Sequence, residues 1–191
     1  GYVTSPVSEA TLDWAWRLAM QAGLQPTLKC AESFGHTDFR LDLPAFRVPT
    51  LVLDDGQPLY DSRVICAYLD ALTGCGLVPA DPQARLTAER RQALGDGFLD
   101  ALLLFRQERN KPEARQTPAW LDAFALKTRA VLAALEAEAP ALQASRFDLG
   151  LIAIGCALSY MDYRFPDIAW RDGHPALAAW HARFAARPSV M

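Results

Sequence analysis

Arg47-Val48-Pro49-Thr50-Leu51-Val52-Leu53-Asp54-Asp55-Gly56, followed shortly by Leu59-Tyr60-Asp61-Ser62-Arg63-Val64-Ile65-Cys66-Ala67-Tyr68-Leu69, is the most informative part of the chain. Pro49 supplies no backbone N–H, which suits the start of a strand. Residues 50–54 and 58–61 read as two strands around Asp55-Gly56, a dipeptide made for a tight hairpin turn. Asp61-Ser62 then falls where the hairpin ends and an apolar helix begins. Either side chain can cap that helix, and a helix start offers free N–H groups to an anion. Taken singly, each piece is an ordinary strand start or an ordinary cap.

Upstream, residues 1–4 and 27–30 read as two further β segments. Between them Trp14, Leu18 and Ala22 recur at helical spacing up to Gly23. The order strand, helix, strand, loop, hairpin, helix describes a small α/β domain over residues 1–73. Residues 74–82, rich in Gly and Pro, read as a linker. Beyond it, over residues 83–191, the pattern is helical. Leu94, Phe98, Leu102 and Phe105 form one stripe, Leu121, Phe124, Val131 and Leu135 a second, and Leu177, Trp180 and Phe184 a third. An all-α domain is therefore expected to follow the α/β one.

The chain has 191 residues, 51% hydrophobic and 21% charged, enough to bury a core without cross-links. Its net charge of −3 argues against nucleic acid as the main partner. The longest nearly apolar run, residues 149–161, suits a buried helix rather than a bilayer crossing, so no membrane association is expected. Residues 1–6 lack the basic and apolar regions of a signal peptide. Cys30, Cys66, Cys75 and Cys156 form no Cys-x-x-Cys pair, and with three histidines a metal site is not expected. A reducing, cytoplasmic setting is the expectation.

The quoted stretch resembles the glutathione-binding half of a glutathione S-transferase. It has the Val-Pro entering a strand, the acidic-Gly turn, the acidic-Ser pair opening a helix, and that helix ending in Tyr68-Leu69. Residues 148–158 (DLGLIAIGCAL) resemble the family's core helix, and residues 160–165 (YMDYRF) its extension in bacterial members. His174-Pro175-Ala176-Leu177 with Trp180, and Arg187-Pro188-Ser189, resemble its closing segments. The resemblance implies a thioredoxin-like βαβ-ββα domain followed by an all-α helical bundle.

It also implies roles. Val48-Pro49 would be joined by a cis peptide bond, turning the Val48 backbone toward the cysteinyl part of glutathione. Ser62 and the helix N–H groups would hold the γ-glutamyl carboxylate, Asp61 its amine, and Arg47 the glycyl carboxylate. The catalytic group would be a hydroxyl at the start of the first helix that stabilises the glutathione thiolate. The segment Thr4-Ser5-Pro6-Val7-Ser8-Glu9 resembles the motif of serine-type bacterial members. Ser8 lies nearest the catalytic position by distance from Gly23, Ser5 matches by motif, and Thr4 and Tyr2 stand behind them. Phe98, Leu102 and Phe105 with Arg106 and Arg109 would line a pocket for a hydrophobic electrophile, although an apolar stripe is more often simply the mark of a helical core. Glutathione as co-substrate, no metal, and a homodimer using Leu59, Tyr60 and Val64 complete what the family implies.

Three departures stand out. Glu9 and Asp13 replace the usual aromatic and basic residues of the first turn and would oppose a bound thiolate. Phe46 stands where glycine is usual. Leu151 replaces a capping aspartate, leaving Asp148 to cap the core helix. Besides a transferase, the scaffold suits another glutathione enzyme (isomerase, ether-cleaving or dehalogenating) or a non-catalytic interaction module.

Overall fold

A computed structural model describes residues 49–190. The chain divides into two compact units, with boundaries between Val78 and Pro79 and between Arg187 and Pro188.

In the first unit, β1 (Leu51–Val52) pairs antiparallel with β2 (Pro58–Leu59), Leu51 opposite Leu59 and Val52 opposite Pro58. The ladder is shorter than the expected strands 50–54 and 58–61, and its tip is a three-residue loop, 54–56, closed between Leu53 and Gln57. Leu53 donates to the Gln57 carbonyl and accepts from the Gly56 N–H, each at 2.9 Å. Gly56 has φ +83°, the left-handed conformation such a loop needs and glycine adopts without strain.

Helix α1 (Ser62–Thr73) follows, capped by Asp61 and ended by Gly74 at φ +67°. The Gly74 N–H returns to the Asp70 carbonyl at 2.8 Å. The buried Asp70 carboxylate then accepts the N–H groups of Leu77 and Val78 at 2.7 and 2.9 Å. The first half of the Gly/Pro-rich stretch is thereby fastened to the helix it leaves. The helix turns Val64, Tyr68 and Leu72 outward, at 47, 37 and 62% exposure.

The second unit is helical. Helix α2 (Pro82–Arg109) starts at the Asp81 cap with Pro82 in its first turn, where a missing N–H costs nothing. Helix α3 (Pro118–Ala144), helix α4 (Leu149–Arg164) and helix α5 (Pro175–Ala185) follow, with short 3₁₀ turns at Glu113–Arg115 and Trp170–Gly173. Ten residues of α4 are buried, so it is the central core helix. Asp148 caps it, accepting the Leu151 N–H at 2.9 Å.

Two glycines set the α2–α4 approach. A Cβ on Gly95 would lie 2.6 Å from the backbone of Ala153 and Ile154, and one on Gly150 would lie 2.4 Å from the Ala88 carbonyl oxygen. In α3 the buried face runs through Thr128, Leu132, Leu135 and Ala139, so Leu132 takes the core position that spacing gives to Val131. In α5 all three expected residues, Leu177, Trp180 and Phe184, are buried. That helix has no side-chain cap of its own. Glu136, from α3, supplies one by accepting the N–H groups of Ala176 and Leu177 at 3.0 and 2.7 Å.

Candidate functional site

The hairpin hands the chain to α1 at Asp61-Ser62. Asp61 Oδ1 accepts the Arg63 N–H at 3.0 Å, and the Asp61 carbonyl accepts the first intrahelical bond, from Ile65, at 3.0 Å. Asp61 and Ser62 are half-buried. One carboxylate oxygen thus caps the helix, and Ser62, the first residue of that helix, adds a hydroxyl to its N-terminal end. That arrangement suits a zwitterion: the helix start and hydroxyl attract a carboxylate, and the aspartate attracts an ammonium. Pro49 is half-buried and precedes β1 without joining its ladder. Ser5, Ser8, Arg47 and Val48, and with Val48 the expected cis bond, lie outside the described residues, as do the upstream strands and first helix.

The residues implied for an electrophile pocket separate into two groups. Phe98, Leu102 and Phe105 are buried, and Phe105 stacks on Phe124 and Phe165 at centroid distances of 5.9 and 5.3 Å. They are packed as core of the helical unit. Arg109 lies over the rings of Phe105 and Phe165 and pairs with Asp167 at 2.7 Å. That hydrogen bond holds the Asp167 carboxyl below its usual range. Arg106, half-buried, has no ion-pair partner among the described residues.

Two polar clusters were invisible to spacing arguments. The buried Glu108 takes Lys111 Nζ and the Thr117 N–H, joining both ends of the α2–α3 connection. The Lys111 hydrogen bond is the largest cause holding its carboxyl below the usual range. Asp162, Trp170, Arg171, Ser159 and His181 form the second. Burial would raise the Asp162 carboxyl, but the hydrogen bonds from Arg171 and Trp170 outweigh it and keep it low. Burial pushes His181 below its ordinary value, against the pull of Asp162 and with the push of Arg171. Only three-dimensional closure shows these partners, which come from three separate elements.

A shallow hollow of about 210 Å³ on the helical unit is lined by residues including Leu142, Phe147, Trp180, Arg183 and Arg187. The Arg187 guanidinium already lies 3.6 Å over the Phe147 ring. No group of three or more His, Cys, Asp or Glu among the described residues is placed to hold a metal. No described helix is long and apolar enough to cross a membrane.

The glutathione S-transferase N-terminal domain family matches residues 13–72, and the C-terminal domain family matches residues 118–183. The uncharacterised GST-like protein YibF of Escherichia coli K12 is 31% identical over 137 residues, covering 70% of this chain and 68% of YibF. A glutathione transferase family member from Pseudomonas fluorescens Pf-5, crystallised with bound S-(propanoic acid)-glutathione, is 38% identical with a TM-score of 0.74. That match covers 92% of this chain and 93% of the other. A glutathione S-transferase from Methylobacillus flagellatus with glutathione bound is 28% identical, with a TM-score of 0.72 and coverage of 98 and 93%. With the N-terminal and C-terminal family domains matched in order and a GST-like relative 31% identical over more than two thirds of either chain, the chain belongs to the glutathione S-transferase family.

Proposed function

We propose that the protein binds glutathione and joins its thiolate sulfur to an electrophilic carbon of a small hydrophobic compound, either displacing a leaving group that departs with the bonding electrons or adding to an activated double bond whose far carbon then takes a proton. The observation that carries this reading is the Pseudomonas relative, 38% identical over nine-tenths of the chain and holding a glutathione conjugate. In the proposed complex Asp61 and Ser62 hold the γ-glutamyl end, Val48-Pro49 the cysteinyl backbone and Arg47 the glycyl carboxylate. Ser8, with Ser5 as the competing residue, donates to the thiolate. A hydrogen bond to a charged group is worth about 1.5–3 kcal/mol, which lowers a thiol pKa by roughly one to two units. From a start near 8.5 that makes the thiolate abundant at neutral pH, without a metal or a histidine base.

The relative's conjugate carries a propanoic acid. Arg106 is accordingly proposed to meet an acidic group on the electrophile, whereas Arg109 is committed to Asp167. The working form is a homodimer joined around Leu59, Tyr60 and Val64, in a reducing cytoplasm where glutathione stays a thiol.

Calorimetric titration with glutathione, followed by conjugation assays with an activated chloroarene and an α,β-unsaturated acid, tests this. Turnover lost in Ser8→Ala and kept in Ser5→Ala supports Ser8, and the reverse result moves the role to Ser5. Binding without turnover of any electrophile leaves a non-catalytic glutathione module. Absence of binding ends the reading.

A further inference from the structure

His181 is buried on α5. The groups around its ring come from α4 (Ser159, Asp162 and the Gly155 carbonyl), from the Trp170–Gly173 turn (Trp170 and Arg171), and from α5 itself (Phe184). Asp162 and Arg171 are the charged members. Arg171 Nη2 donates both to Asp162 Oδ2 at 2.6 Å and to His181 Nδ1 at 3.2 Å. Because a guanidinium can only donate, Nδ1 is the acceptor and the ring proton sits on Nε2, where it faces Ser159 Oγ at 3.0 Å. This tautomer rules out a Ser-His-Asp hydrolytic reading of the three residues: Nε2 already carries the proton a general base would need to accept.

The same geometry holds a second arrangement in reserve. His181 Nδ1 lies 3.6 Å from Asp162 Oδ2, just beyond hydrogen-bond reach, with Arg171 Nη2 shared between them. A proton from solvent on Nδ1 turns the acceptor into a donor. It then faces another donor on Arg171 and a carboxylate oxygen within a small side-chain movement. We propose that Asp162 is a proton-controlled switch point, passing from Arg171 to His181 when His181 is protonated and loosening the Trp170–Gly173 turn that Arg171 anchors. Trp170 is a built-in reporter, because its indole N–H donates to Asp162 Oδ1 at 2.8 Å and its ring meets His181 edge-on.

The experiment is an NMR titration of the full chain, following the histidine ring carbons and the tryptophan indole N–H groups. The His181 ring is expected to titrate below 6.5, the ordinary histidine value, with the Trp170 indole moving at the same midpoint. Arg171→Gln should raise that midpoint by removing a neighbouring positive charge, and Asp162→Asn should lower it. His181→Gln should abolish the Trp170 step. A Trp170 indole that stays still while His181 titrates overturns the proposal. So does a His181 that stays neutral until global unfolding, or midpoints that move the same way in both charge variants. The wild-type co-titration needs no variant, so a substitution that fails to fold does not remove the test.

Discussion

Asp61 and Ser62 are adjacent, and the proposed function gives them a ligand role beside the helix cap that Asp61 supplies. Asp61 caps α1 through Oδ1, so Asp61→Asn keeps an amide oxygen in the capping position and should leave the melting temperature nearly unchanged. It removes the charge proposed to meet the glutathione ammonium, so calorimetry should show weaker binding. Ser62→Ala likewise leaves the cap intact and should weaken glutathione by about tenfold to a hundredfold, the worth of one hydrogen bond to a charged group. Equal loss of stability and affinity in both variants would mean that the pair only starts a helix. Asp61-Ser62 was legible in the sequence because capping is local, governed by residues within one turn. Arg109 was not, because its commitment to Asp167 joins positions 58 residues apart.

Helix α2 carries two glycines that the sequence alone treats alike. Gly95 lies against the α4 backbone, while Gly97 has open space where a Cβ would go. Gly95→Ala should therefore destabilise by about 1–3 kcal/mol or more through overpacking. Gly97→Ala, exposed in a helix interior, should stabilise by about 0.5–1 kcal/mol. Chemical denaturation of both variants checks the opposite signs. Helical stripes such as Leu177, Trp180 and Phe184 were readable because a buried face repeats with the helical turn. Which glycine touches a neighbour is a property of the pair of helices, as is the choice of Leu132 over Val131 in α3. The short β ladder escaped for a related reason: Asp55-Gly56 is compatible with more than one loop length, and the hydrogen bonds of Leu53 select the longer one.

Among the described residues, the acids and the histidine with shifted values all lie in the helical unit, and they set the acid response of that unit's stability. His181 is held below its ordinary 6.5, so its contribution is present above that value and is lost as pH falls through the folded value. Glu108, Glu138, Asp162 and Asp167 are held below their ordinary 4.5 or 3.8, so theirs is lost only in stronger acid. For Glu138, burial works upward and is outweighed by Arg90 and Arg91. Melting temperature should be level above about pH 6.5, decline gently toward 4.5 and fall steeply below it. A profile rising toward acid would contradict these assignments. The homodimer proposed around Leu59, Tyr60 and Val64 is tested by mass: light scattering should give twice the monomer value, and Tyr60→Glu with Val64→Glu, both exposed positions, should return it to one.

The cap that Glu136 lends to α5 carries an implication for assembly. An eleven-residue helix is marginal in water on its own, and this one takes its start signal from a helix made some forty positions earlier. During synthesis Glu136 is therefore already present when α5 emerges, and docking against α3 adds the start signal that the short helix lacks. Hydrogen exchange in Glu136→Gln should quicken first at Ala176 and Leu177, leaving α3 itself protected.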